Sequence, residues 1–317
     1  MSAPDVAIAG GGIVGASLAA LLAEAGAPVR LYEREAIGAA ASGRNSGVLQ
    51  HPLDEALVAV HERSLALYET LGHGFAYPAE PCGVLLLGEG PEALRREHEA
   101  LAARFPEVAP EWLEGAALRA AEPGLGVGLY ACRLETGRPV PPASATRAWA
   151  ERARTAGAEL RIGEAVEAVE IEGGRATGVR TAAGVDPAGA IVLAAGPWTA
   201  ALARQVSGTF LAPLWGVNVE VRLPEPPRHV LEQAGIDDLI KESTRVSPPG
   251  RPPATEPGPP GRCSAFSIVT AGGVSAVGST FQPDEPDPAG VAPRLLEGGA
   301  RYLPAPAVVR LAAAARP

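Results

Sequence analysis

Three glycines and one acid carry the clearest chemical signal in the sequence: Gly10, Gly12, Gly15 and Glu33. The glycines fit G-x-G-x-x-G. The first permits a tight turn, the second lets backbone approach a pyrophosphate, and the third lets a helix lie close to a strand. Ile13 and Val14 stand between the second and third glycines, at the start of a helix whose unpaired N–H groups and dipole favour negative charge. Glu33 follows about twenty residues later, where a carboxylate can accept the hydroxyls of a ribose. The same carboxylate repels a 2′-phosphate, so NADP is disfavoured. NAD and FAD both stay open on this unit alone.

The elements that must position these residues are legible around them. Val6 to Ala9 is an apolar run of the kind found in a parallel strand buried on both faces. Leu18, Leu21, Leu22 and Ala25 recur at helical spacing on one face, and Gly26 stops the helix. Val29, Leu31 and Tyr32 form the next strand, which delivers Glu33. A lone glycine fingerprint says little, but strand, amphipathic helix, second strand and terminal acid make one βαβ unit.

After Arg34 comes a small-residue segment, Gly38 to Pro52, in which Ser42, Arg44, Asn45 and Ser46 alternate with Gly43 and Gly47. It suits a loop and short helix laid along a ligand, or a plain surface loop. The dinucleotide unit followed by SGRNSGV resembles the flavoprotein family that includes D-amino acid oxidase, glycine oxidase, sarcosine oxidase and L-2-hydroxyglutarate dehydrogenase. The wording Asn45-Ser46-Gly47-Val48 is closest to the hydroxyglutarate branch. The resemblance implies FAD, with contacts from Arg34, Ser42, Asn45, Ser46 and Gly47 to its pyrophosphate and ribityl chain. A second signature follows much later. A helix runs through Trp149 to Ala156, then come strands at 159–162, 166–171 and 176–180, the last two joined by a hairpin at Gly173-Gly174. Ala190 to Ala194 then ends in Ala195-Gly196-Pro197-Trp198. The resemblance implies that Val166 holds the adenine through its backbone and that Ala195 and Gly196 pass close to the dinucleotide. This order separates FAD from NAD, whose domain would continue with repeated βαβ units.

The fold implied is α/β: a Rossmann-like FAD-binding domain (1–80 and 139–213, with the tail 304–317) interleaved with an α+β antiparallel-sheet substrate domain (81–138 and 214–303). Helices are expected at 54–71, 92–105, 111–125 and 295–302. Strands of the second domain are expected at 84–87, 128–133, 214–223, 266–270 and 274–280. The proline-rich stretch 247–261 is expected to be a flexible insert. Two catalytic candidates stand out. His51 directly follows the flavin-facing segment, near where some members of the family attach FAD covalently. Arg316-Pro317 resembles an Arg-Pro pair whose arginine pairs with the substrate carboxylate. In the family that pair opens a segment closing over the flavin, so a truncated, non-catalytic remnant is one expectation.

The chemistry implied is oxidation of a C–H bond next to an amine or a hydroxyl, with hydride passing to the flavin. A neutral amine needs no obligate base, whereas a hydroxy acid needs a proton acceptor, usually histidine. Only His51 is placed for that role. Amino acid or secondary amine oxidation therefore ranks first and 2-hydroxy acid dehydrogenation second. No lysine lies between Phe266 and Phe281, which leaves oxygen reactivity open. A net charge of −9 argues against a nucleic-acid surface, and no apolar run has the length of a membrane-spanning helix. Cys82, Cys132 and Cys263 are scattered, without metal-binding spacing, which fits a reducing compartment. The expectation is a cytoplasmic protein with a small-molecule partner and no metal.

Overall fold

Val6 to Ala9 are all buried because they form β1 (Val6–Ala9) inside a four-stranded parallel sheet. Its neighbours are β2 (Val29–Glu33) and β12 (Ala190–Leu193), with β8 (Glu159–Ile162) outside β2, in the order β12-β1-β2-β8. The computed structural model describes residues 6–71, 77–206, 214–236, 264–282 and 285–304, and the backbone of 309–316. The expected proline-rich insert lies outside the described residues.

Helices α1 (Ile13–Glu24) and α5 (Pro142–Thr155) cover one face of this sheet. The core there is made of small residues: Ala16, Ala19, Ala20 and Ala23 of α1 meet Ala150 and Ala153 of α5 around Trp149. Leu18, Leu21 and Leu22 are only partly buried, so the stripe nearest the sheet is alanine rather than the leucine face expected from spacing. Small side chains let helix and sheet approach closely, as the glycine turn beneath them requires.

A three-stranded antiparallel sheet, β9 (Ala168–Glu172), β10 (Arg175–Thr181) and β11 (Gly184–Pro187), is tied to the parallel sheet by Asp186. The Tyr32 hydroxyl donates to Asp186 Oδ2 at 2.6 Å, and Arg30 and Arg161 pair with the same carboxylate. Burial and the bond to Asp186 push the Tyr32 hydroxyl up to about 12. Burial opposes the charge on Asp186, but Tyr32, Arg30 and Arg161 outweigh it and hold the carboxyl below the usual carboxylate range.

The second core surrounds an eight-stranded sheet. In spatial order it runs β17 (Val309–Arg316), β13 (Gly216–Arg222), β16 (Val274–Thr280), β15 (Ser264–Ala271), β14 (Val230–Gln233), β4 (Val84–Gly88), β6 (Tyr130–Leu134) and β5 (Glu111–Glu114). All pairings are antiparallel except β14 with β4. One face packs on α4 (Gly115–Ala121) and α7 (Pro288–Gly299) through Val217, Val219, Leu231, Ile268 and Leu295. The other face packs on α3 (Pro91–Arg104), Phe105 and Val108. A short pair, β3 (Val48–Leu49) with β7 (Arg138–Pro139), lies where the chain crosses between the two cores. The remaining helices are α2 (Val58–Leu71) and α6 (Thr199–Ala203).

Several boundaries differ from expectation for local reasons. Glu111 to Glu114 is strand rather than helix: Trp112 packs by Tyr130 at 5.8 Å and Arg133 pairs with Glu111 across β6, contacts that favour a sheet edge. Helix α2 starts at Val58, because the Asp54 carboxylate accepts from Ala56 N and forms a turn instead. Helix α7 starts at Pro288, capped by Asp287, which accepts from Ala289 N and Gly290 N. The tail expected with the first domain instead pairs along β13, from Gly216 opposite Arg316 to Arg222 opposite Val309. No helix among the described residues is long and apolar enough to cross a membrane, and no group of metal-binding side chains occurs among them.

Candidate functional site

The carboxyl ends of β1, β2 and β12 open into one cleft of about 560 Å³. Such a crevice beyond the strand ends is where open α/β sheets bind ligands. After Ala9 the chain turns at Gly10, whose φ of 117° suits glycine, and a Cβ there would lie 2.3 Å from the Ala194 carbonyl oxygen. At Gly15 a Cβ would lie 1.9 Å from the carbonyl oxygen of Gly10, so α1 rests directly on the turn. The helix is capped by Gly12, which brings no side chain and leaves room at the helix N-terminus for an anion.

Glu33 locks the turn from the end of β2. Its Oε2 accepts from Gly11 N and its Oε1 from Glu35 N, both at 2.8 Å. The Ser42 hydroxyl accepts from Ile13 N at 2.9 Å and so pins the small-residue segment over the helix start. Val14, in the first helical turn, is 63% exposed on the cleft wall, an apolar surface that a bound ligand would cover.

The structure brings Gly10, Gly12, Val14, Glu33, Arg34, Ser42, Val166, Ala195 and Gly196 to the wall of this cleft. Ile13 and Gly15 belong to the turn beneath it. Asn45, Ser46 and Gly47 are not on the wall. Asn45 instead shapes the loop: its Nδ2 donates to Ala41 O at 3.0 Å and its Oδ1 accepts from Gly47 N at 2.9 Å. Gly47 has a φ of 79°, and a Cβ there would lie 2.2 Å from Val140 O. Val166 lies just before β9 and not, as expected, within a strand starting at 166.

Of the two catalytic candidates, His51 does not line the cleft. His51 is 7% exposed, with its ring 5.2 Å from Phe105 and 5.7 Å from His61. Its backbone N–H donates to Thr136 Oγ1 at 2.7 Å, and its Nε2 lies 3.3 Å from Glu107 without making a hydrogen bond. Burial, followed by the neighbouring His51, lowers the pKa of His61. The backbone of Arg316 is at the end of β17, opposite Gly216.

Among the wall residues that sequence reasoning passed over are Tyr32, Glu35 and Trp198. The Arg34 guanidinium lies 3.8 Å above the centre of the Trp198 ring, and Arg34 Nε is 3.2 Å from Glu35. The tryptophan was visible as part of a strand-to-helix turn, but a stacking partner 164 positions away in the chain leaves no local signal.

The residues present fit an adenine dinucleotide. A glycine turn that tolerates no side chain leads into a helix start capped by a glycine, a carboxylate stands at the end of β2, and an apolar and aromatic wall continues past it. On the far side, residues 44–50 meet the large sheet: Asn218 Nδ2 donates to Arg44 O at 3.2 Å, and Gln50 Nε2 to Glu232 Oε1 at 3.1 Å.

Known proteins resemble this chain in sequence and fold. The bifunctional protein ThiO/ThiG of Trichormus variabilis is 30% identical over 235 residues, which are 70% of this chain and 34% of that protein. The glycine oxidase of Bacillus licheniformis is 29% identical over 220 residues, 64% of this chain and 56% of that one. The chain thus spans between about a third and about half of these relatives. The crystal structure of glycine oxidase from Geobacillus kaustophilus has the same fold, with a TM-score of 0.78 at 24% identity, covering 100% of this chain and 82% of that one. The family model for FAD dependent oxidoreductases matches residues 5–317, and the chain belongs to that FAD-dependent family.

Proposed function

We propose that this chain holds FAD in the cleft at the ends of β1, β2 and β12 and oxidises the C–H bond next to the nitrogen of an amino acid or a secondary amine. The observation that supports this reading is the cleft itself, where a side-chain-free turn and the Glu33 carboxylate, bonded to Gly11 N, line the same wall. FAD, when bound, supplies the hydride acceptor, and the protein supplies binding and orientation. Glu33 orients the ribose, Ser42 fixes the helix start under the pyrophosphate, and Asn45 holds the following loop in shape.

The preference for an amine over a hydroxy acid rests on the side chains around the site. Among the described residues no histidine lines the cleft, and His51 is packed under Phe105. Oxidation of a hydroxyl needs a positioned proton acceptor, whereas a neutral amine loses hydride without one. The relatives named glycine oxidase support the same choice.

The test uses the purified chain. FAD binding is followed by absorbance near about 450 nm, a property of the cofactor. Anaerobic bleaching is then compared between glycine, sarcosine and proline on one side and 2-hydroxy acids on the other. Bleaching by an amine is expected. Bleaching by hydroxy acids alone would overturn the substrate assignment, and failure to take up FAD would overturn the whole reading.

A further inference from the structure

We infer that Arg34 and Trp198 form a purine clamp: Arg34 covers the indole face and yields it to the adenine when the dinucleotide enters. This deepens the proposed function, because it rests on the dinucleotide lying in the cleft and names what holds its base.

The placement follows from the chain. If Glu33 holds the ribose, the base attached to that ribose falls beyond the end of β2. The next residue there is Arg34, and the turn facing it, after β12, carries Trp198. Val166 closes the remaining edge. An aromatic face, a planar cation and a backbone edge therefore converge on a flat volume at the outer end of the cleft.

The contact between the two side chains excludes a purine stacked on that face. At 3.8 Å from the ring centre, the guanidinium occupies the layer that a stacked base would take. Either Arg34 or adenine can lie on the exposed indole face, but not both. The exchange disturbs no core, since Trp198 is 36% exposed and the Arg34 side chain 41%. Its direction is set by the relative strengths of the contacts: an exposed cation–π pair is weaker than base stacking on an aromatic ring. The displaced guanidinium is planar and stacks readily on aromatic faces, so it can close again over the outer face of the adenine. Its ion pair with Glu35 keeps it at the rim in the meantime.

The clamp is tested on the flavin-free full chain with ADP, which brings adenine and diphosphate without a flavin signal. Tryptophan fluorescence and calorimetry are read in parallel. Trp112, Trp149 and Trp215 do not line the cleft, so Trp198 is the reporter. ADP is expected to quench the wild-type signal. Trp198→Phe keeps a stacking ring, so it should bind ADP within about threefold of wild type while losing the quench, and Trp198→Ala should bind at least about tenfold more weakly. Arg34→Ala removes both gate and outer lid, so ADP should associate at least about twofold faster and dissociate at least about threefold faster.

A quench that survives in Trp198→Phe, undiminished affinity in Trp198→Ala, or unchanged association in Arg34→Ala would each overturn the clamp. If Trp198→Ala fails to fold, the phenylalanine and Arg34 variants decide. FAD uptake by the wild type is measured alongside. If FAD binds but the ADP pattern fails, the clamp falls while the cofactor reading stands; if neither binds, both fall.

Discussion

Replacing Gly15 by alanine puts the glycine turn under a sharp test. The added Cβ would stand 1.9 Å from the Gly10 carbonyl oxygen, where real Cβ contacts essentially never come under 3.0 Å. The obstacle is backbone, so no side chain can swing aside. Helix α1 must rise from the turn by at least 1.1 Å, the difference between those two distances. That movement opens the alanine-lined contact of α1 with the sheet, where Ala16, Ala19 and Ala20 are fully buried. Forced overpacking of this kind costs about 1–3 kcal/mol, and a rigid backbone contact belongs at the upper end. For a chain of this size, about 3 kcal/mol corresponds to a melting point roughly 5–10 °C lower. The same lift carries the helix N-terminus away from the pyrophosphate, so FAD affinity should fall at least about tenfold, or ~1.4 kcal/mol. A matched control is Gly298→Ala in α7, where a Cβ meets nothing within 4 Å and the residue is exposed. Replacing a helical glycine by alanine at such a site should stabilise by about 0.5–1 kcal/mol. The assay is thermal melting of the flavin-free protein with FAD titration of each variant. If Gly15→Ala melts within about 1 °C of wild type and binds FAD equally well, the close contact between helix and turn does not exist as described.

Further predictions concern charge. Asp186→Asn removes the shared acceptor of Tyr32, Arg30 and Arg161, and the half-buried network should lose about 2–3 kcal/mol in urea unfolding at neutral pH. Because the folded-state pKa of Asp186 is depressed, its contribution is full above the unfolded value near about 4 and is lost as pH falls through the folded one. The gap between wild type and variant should therefore close on acidification, and a gap that stays constant down to pH ~2 would refute the assignment. Tyr32→Phe should show the opposite limb. Its hydroxyl is held protonated up to about 12 in the folded state, so the stability it provides is present below the unfolded value near about 10 and lost between the two. Glu33→Gln should weaken ADP binding about tenfold by calorimetry while costing only about 1 kcal/mol of stability, since one amide oxygen replaces two carboxylate acceptors. Equal affinity for the variant would take Glu33 out of ribose binding.

What the sequence made legible, and what it hid, divides along sequence distance. The βαβ unit could be read because all its determinants fall within one short stretch: an apolar strand, glycines where backbone touches backbone, and an acid at the end of the next strand. Gly10, Gly12, Val14 and Glu33 accordingly came together in the cleft. The hidden parts depend on partners far away in the chain. Nothing near Asp186 signals that Arg30, Tyr32 and Arg161 converge on it. Nothing in the alanine-rich residues 309–316 marks them as a strand, because their β identity comes from pairing along β13. Glu111 to Glu114 read as the first turn of a helix because the next seven residues are one, and only the neighbouring β6 shows that these four are extended. His51 looked available because it follows a polar, glycine-rich segment. Phe105, which buries it, comes 54 residues later. Local motifs thus located the cleft, while the surroundings that decide which side chains are accessible came only with tertiary structure.

The segment from Ser42 to Gln50 then takes on a role beyond lining a pocket. One end is fastened to the nucleotide turn, through Ser42 to Ile13 N, and the other to the large sheet, through Arg44 O to Asn218 and Gln50 to Glu232. Between these points Asn45 and the left-handed Gly47 fix the path, with Val140 O too close to Gly47 for any side chain. A ligand held by the glycine turn is thereby held in register with the polar face of the second core, since a displacement of one anchor is transmitted to the other by a loop with little freedom. The fasteners leave Asn218 Oδ1 and Gln50 Oε1 buried without donors. Buried acceptors without donors cost free energy unless something supplies the hydrogen.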